Sequence, residues 1–169
     1  VKYNGRTSKN FRQKMSGIAF TETAYYDALI SNYFNKINRN TFPQKKIIYS
    51  NLIDKLRYGE NPHQESAIYS KSNSLNIKQL HGKQLSYNNY NDIFAALTIS
   101  KSLPKNSGTV IVKHTNPCGV ASSDNILSSY KKAFQTDPTS AFGGVIASND
   151  EIDEKCARYM IENQFIEVV

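Results

Sequence analysis

Apolar residues at Phe11, Met15, Ile18, Tyr25, Leu29 and Tyr33 recur in steps of three, four and seven, which keeps them on one face of a helix. Ser8 stands ahead of them, and its hydroxyl is of the kind that accepts from the first free N–H groups of a helix. The pattern predicts one long helix from about Lys9 to Asn35. The periodicity then stops. Asn38-Arg39-Asn40-Thr41-Phe42-Pro43-Gln44 is polar and broken by proline, and residues 37–46 read as a linker between a first unit, 1–36, and a second, 47–169.

Short β-rich runs and helical patterns alternate after the linker. Ile47-Ile48-Tyr49 and Ala67-Ile68-Tyr69 read as strands, Asp92 to Leu103 as a helix, and Thr109-Val110-Ile111-Val112 as a buried strand. A helix marked by Ile126, Leu127, Tyr130 and Phe134 follows, then a strand at Val145-Ile146-Ala147. A helix marked by Ile152, Cys156, Tyr159 and Met160 and a last strand from Phe165 to Val169 complete the series. Strand and helix in turn predict an α/β layer fold with a largely parallel sheet. Ligands gather beyond the strand ends of such sheets, which directs attention to the loops after Val112 and before Val145.

Composition narrows the picture. With 39% hydrophobic and 21% charged residues the chain has the material for a packed core. The formal charge of +7 favours anionic partners. The excess is spread out in pairs such as Lys45-Lys46 and Lys131-Lys132, without a basic arm or helix face, so a phosphate-bearing small molecule fits at least as well as nucleic acid. Cys118 and Cys156 are the only cysteines, as expected in a reducing compartment, and the expected location is the cytoplasm. No apolar run approaches membrane-spanning length. Val1-Lys2-Tyr3-Asn4-Gly5 lacks an initiator Met, and the chain stops on the apolar run Ile166-Glu167-Val168-Val169, so both ends read as cuts in a longer sequence.

Four polar segments rich in Gly, Pro and Asn are the places to look for chemistry. In Leu56-Arg57-Tyr58-Gly59-Glu60-Asn61-Pro62-His63-Gln64, Arg57 offers a planar fork for phosphate or carboxylate and Tyr58 a ring face and hydroxyl for a heteroaromatic ligand; the alternative is an ordinary turn with Arg57 solvated. In Lys113-His114-Thr115-Asn116-Pro117-Cys118-Gly119, a histidine able to move a proton near neutrality sits beside a lysine able to stabilise negative charge on oxygen. Adjacent side chains of a strand point to opposite faces, so the two reach one ligand only if the backbone leaves strand geometry at His114. The alternative here is a solvated lysine and a structural histidine. Thr136 to Gly144 carries the hydroxyls, glycines and N–H groups of an anion-cradling loop, although such residues also simply make turns. His63 and His81 lack metal-ligand spacing to each other or to either cysteine, and no metal is expected. Cys118 has no identifiable base and reads as a turn or buried thiol.

Taken together, LRYGENPHQ at 56–64, GKQLSYNN at 82–89, VKHTNPCGVA at 112–121 and TDPTSAFGG at 136–144 resemble, in order, the transformylase domain of the bifunctional AICAR transformylase/IMP cyclohydrolase family. The helix with Ala19-Phe20-Thr21-Glu22-Thr23-Ala24-Tyr25-Tyr26-Asp27-Ala28 resembles the C-terminal helix of that family's cyclohydrolase domain. The resemblance implies a cytidine-deaminase-like layered α/β/α fold, of which this chain would hold the first half. It also implies a homodimer and formyl transfer from 10-formyltetrahydrofolate to AICAR ribonucleotide, giving FAICAR for cyclisation to IMP, without a metal. By position, His114 would be the proton acceptor, Lys113 its partner at the oxyanion, Arg57 and Tyr58 contacts to the nucleotide, Gly143 a backbone contact, and Glu167 the holder of the carboxamide or amine end. Alone, the piece is expected to be inactive. The rival readings are a non-catalytic nucleotide-phosphate binding module and, from charge and 11 tyrosines, an RNA-binding domain with aromatics on one sheet face.

Overall fold

The computed structural model describes residues 4–169; Val1, Lys2 and Tyr3, three of the five residues of the segment read as a cut end, lie outside the described residues. The chain forms two units. The first comprises residues up to Ile53 together with Tyr69–Ile77, the second Asp54–Ile68 and Lys78–Val169.

In the first unit the apolar periodicity yields a single helix, α1 (Lys9–Ile37), with the Ser8 hydroxyl accepting from Phe11 N at 3.1 Å. Its stripe is not a core face here: Phe11, Met15, Ile18, Leu29 and Tyr33 are all exposed, and among its described side chains only Ala28 is buried. Contacts to it come from the segment after residue 46. The Tyr25 ring meets Tyr49 edge-on at 5.4 Å, and Asn32 Nδ2 donates to Ile47 O at 3.1 Å. Gly17 interrupts α1 with nothing within 4 Å of where a Cβ would lie. Gly17→Ala is therefore expected to stabilise the helix by about 1 kcal/mol, by removing backbone freedom from the unfolded chain. A raised midpoint for loss of the helical circular dichroism signal checks this, and a lowered one would show that Gly17 serves a contact.

One correction concerns the first strands. Ile47-Ile48-Tyr49 is not a strand; the chain pairs four residues later, as β1 (Asn51–Lys55), with β2 (Ala67–Ser70). Ile47 and Ile48 stay exposed outside the sheet.

The second unit is built on a four-stranded sheet of order β4-β3-β5-β6, made of β3 (Gly108–Lys113), β4 (Asn116–Ser122), β5 (Gly144–Ser148) and β6 (Ile166–Val168). It is mixed, not largely parallel. β3 runs antiparallel to both β4 and β5, and only β5 and β6 are parallel. The unexpected element is β4, a hairpin partner hidden in a segment that reads as a loop. Its Pro117 is tolerated because β4 is an edge strand, where a missing N–H need not break a ladder. The α/β class stands.

Strand alternation divides the core into two layers. Val110, Val112, Val145 and Ala147 point to one face, where they meet Ala96, Ile93, Leu97 and Ile99 of α2 (Tyr87–Ser102). Ile111 and Ile146 point to the other. There they meet Ile126, Tyr130 and Ala133 of α3 (Ile126–Thr136), Ala141 of the single-turn α4 (Pro138–Ala141), and Cys156 and Met160 of α5 (Glu154–Asn163). α2 begins earlier than its apolar pattern does, at Tyr87, through a reciprocal cap: Asn89 N donates to Ser86 Oγ at 3.2 Å, and Ser86 N to Asn89 Oδ1 at 3.0 Å.

Candidate functional site

Antiparallel pairing places Val112 opposite Val145, so the exit of β3 and the entry of β5 lie at one end of the sheet. A parallel pair would have put them at opposite ends. The two loops singled out from the sequence thus meet because the sheet is mixed.

At that end Lys113 pairs with Asn116, which leaves a loop of two residues, His114 and Thr115. Both have positive φ, 52° and 63°, the pattern of the type I′ hairpin turn, usually built from Asn-Gly. A β-branched threonine in this region is strained by about 1–3 kcal/mol. Neighbours hold it there. Thr115 N donates to Asp92 Oδ1 at 2.7 Å, and the His114 carbonyl accepts from Thr115 Oγ1 at 2.6 Å and Asn116 Nδ2 at 2.8 Å. The backbone therefore leaves strand geometry at His114, the condition for Lys113 and His114 to share a site.

Both line one open cleft of about 650 Å3, with Asn116, Pro117, Cys118, Thr136, Asp137 and Ser140. A bulge in β4 supplies part of the wall: Ile111 pairs with Gly119 and Val112 with Pro117, leaving Cys118 as the extra residue. Lys113 Nζ donates to Phe142 O, which fixes the ammonium and leaves two of its three N–H donors for other partners. Asp137 caps α4, accepting from Ser140 N at 2.9 Å, and hydrogen bonds from Ser140 hold its carboxyl below the usual range. The Cys118 thiol is pushed up, first by burial and then by Asp137, so it lacks the lowered pKa of a nucleophile.

Gly143 adjoins Lys113, since a Cβ there would lie 3.7 Å from Nζ, and it adopts φ of +70°. Its N–H donates to Phe165 O at 2.8 Å; a ligand contact at Gly143 would fall to its carbonyl. The anion-cradle reading of Thr136 to Gly144 fares poorly, because the N–H groups of Ser140 and Ala141 also bond within the segment, to Asp137.

Arg57 and Tyr58 lie on a separate loop. Arg57 donates to the Tyr58 hydroxyl at 3.1 Å, with its guanidinium carbon 4.8 Å from the ring centroid. Tyr87 N donates to Tyr58 O at 3.2 Å, which docks this loop on the start of α2. At the third residue of the helix, Asn89 Nδ2 donates to Glu167 Oε2 of β6 at 2.8 Å. One turn further on, Asp92 reaches the hairpin. The first turns of α2 thus join the Arg57-Tyr58 loop, the Lys113-His114 turn and Glu167, residues that no hydrogen bond links directly among the described ones. Asn89 and Asp92 escaped sequence reading because their partners are 78 and 23 residues away; the one local signal was a polar run, Tyr87 to Asp92, ahead of the apolar helix pattern. Among the described residues no group of three or more His, Cys, Asp or Glu side chains is placed to hold a metal ion, and no helix is long and apolar enough to cross a membrane.

Comparison with known proteins gives this geometry a context. The model of the AICARFT/IMPCHase bienzyme family matches residues 1–169. The "bifunctional purine biosynthesis protein PurH" of Listeria welshimeri is 45% identical over 174 residues, covering 100% of this chain and 34% of the relative. Its namesake in Caldicellulosiruptor saccharolyticus is 42% identical over 177 residues, again 100% and 34%, and that of a Thermoanaerobacter species 42% over 173 residues, with the same coverage. The chain thus spans about a third of the length of these relatives. With a match running from its first residue to its last, the chain belongs to the AICARFT/IMPCHase bienzyme family.

Proposed function

We propose that this chain is the part of a purine-biosynthesis enzyme that binds AICAR ribonucleotide and moves the proton during formyl transfer from 10-formyltetrahydrofolate. The amine of AICAR is conjugated with its ring and a poor nucleophile. As its nitrogen bonds the formyl carbon, the His114 imidazole takes the amine proton and the carbonyl electrons pass to oxygen, beside the Lys113 ammonium. The oxyanion then collapses, the folate nitrogen leaves, and it carries a proton away. The observation that carries this reading is the two-residue turn, which sets Lys113 and His114 on one cleft.

On this reading residues 1–36 belong to the cyclohydrolase domain, 37–46 to a linker, and 47–169 to the first half of a transformylase domain related in fold to cytidine deaminases. Arg57, Tyr58, Gly143 and Glu167 contact the nucleotide. Folate contacts and the cyclohydrolase site come from the rest of a homodimeric cytoplasmic protein, the piece alone does not turn over, and the chemistry uses no metal. A non-catalytic nucleotide-phosphate module leaves the Lys113-His114 pairing without a purpose. RNA binding finds little support in the tyrosines, since Tyr130 is fully buried and Tyr25 packs on Tyr49.

Calorimetric titration of the chain with AICAR ribonucleotide tests the proposal. Saturable binding, weakened at least tenfold by the double substitution Arg57→Ala, His114→Ala, is the expected result; about tenfold is what one charge-assisted hydrogen bond contributes. A folded chain that does not bind, or a double variant that binds as well as the parent, would remove the support for these assignments.

A further inference from the structure

We propose that Asp92 is a positioning residue, whose carboxylate keeps the His114-Thr115 turn in the left-handed conformation that turns Lys113 and His114 to the same cleft. The turn sequence does not favour its own shape: neither residue is Gly or Asn, and Thr115 is β-branched, an outlier at positive φ. Of the turn's three hydrogen bonds that involve side chains, two come from Thr115 and Asn116 themselves and travel with it wherever it goes. The third is anchored outside, on α2. Thr115 N–H meets Asp92 Oδ1 at 2.7 Å, a short charge-assisted bond to a helix fixed against the sheet by Ala96, Ile93 and Leu97. Asp92 also stands near enough to the cleft to help push the Cys118 thiol up.

The role depends on an acceptor oxygen at this place and not on catalysis by the carboxylate. The inference rests on the proposed use of His114 for its functional consequence, but its structural half stands alone. Four proteins decide it: the parent chain, Asp92→Asn, which keeps an acceptor oxygen, Asp92→Ala, which removes it, and Asp92→Ala combined with Thr115→Gly, which removes the steric penalty the bond opposes. In NMR spectra, the left-handed 13Cα and 13Cβ shifts at His114 and the cross-peaks from its ring to cleft side chains are expected in the parent and in Asp92→Asn. They are expected to vanish in Asp92→Ala and to return in the double variant. AICAR ribonucleotide binding should follow the same order, with about a tenfold loss in Asp92→Ala and recovery in the double variant.

Persistence of the turn signals in Asp92→Ala, or their failure to return with Thr115→Gly, would overturn the proposal. A parent chain that shows the turn but does not bind the nucleotide would sink the functional reading, while the NMR series still decides what Asp92 does.

Discussion

Gly119→Ala is expected to destabilise the second unit by about 3 kcal/mol or more, beyond the usual range for an added methyl group. A Cβ at Gly119 would lie 1.9 Å from the Ala133 carbonyl oxygen, 2.7 Å from its carbonyl carbon and 3.2 Å from its Cα. All three are backbone atoms of α3, so no side chain can swing aside. The helix must lift from β4, and with it Ile126, Tyr130 and Ala133 leave their seats against Ile111. Interiors packed this tightly transmit such a displacement and do not absorb it. The cleft would widen too, because Thr136 and Asp137 at the end of α3 form one wall and Cys118, beside Gly119, the other. Urea denaturation followed by tyrosine fluorescence reads the loss, with Gly17→Ala as the control for adding a methyl where there is space. A Gly119→Ala midpoint close to that of the parent would mean that α3 and β4 do not approach as described.

Alkaline pH should remove almost as much stability through one hydroxyl. Tyr130 is fully buried and donates to Gln164 Oε1 at 2.8 Å, while Gln164 Nε2 donates to Ala141 O at 2.6 Å. Burial, with Tyr159 and Cys156 adding to it, pushes its pKa up from 10.0 to about 12. The folded state therefore holds this proton more tightly than the unfolded chain does. The stabilisation is fully present below pH 10 and is lost as pH rises from 10 to about 12, a fall of about 2–3 kcal/mol. Tyr130→Phe has no proton to lose. It should start about 1 kcal/mol less stable than the parent at neutral pH, for want of the bond to Gln164, and overtake the parent by pH 12. Unfolding midpoints of the two proteins across this range measure the difference, and a gap that stayed constant with pH would show that the hydroxyl titrates as it does in the unfolded chain.

How much of this was legible depended on whether the signal was local. The stripe from Phe11 to Tyr33 announced α1, and the apolar run at 109–112 announced β3, because both periods are written in adjacent residues. β4 was hidden. Its Asn-Pro-Cys-Gly start has turn composition, and its bulge at Cys118 breaks the alternation by which a strand is recognised. Without β4 the series reads as strand, helix, strand, the order of a parallel sheet, and the antiparallel sense of β3 and β5 stays hidden. The proposed pair, Lys113-His114, is written in adjacent residues, together with the demand that the backbone break between them. What answered that demand, a carboxylate 23 residues earlier on a helix, had no sequence signature. Glu167 likewise found its partner in Asn89, which reads locally as part of a cap and no more.

The strained turn also bears on how the sheet assembles. Hairpins closed by Asn-Gly can zip from the loop outward, because the loop residues already prefer the shape they need. His114 and Thr115 prefer another, so the loop is a poor nucleus. Pairing of β3 with β4 would instead begin at its far end, near Gly108 and Ser122, once α3 has settled over Gly119, and advance toward the turn. That route makes contacts distant in sequence a precondition for a local one, which slows folding. The segment that presents Lys113 and His114 would then be the last of the hairpin to take its native form.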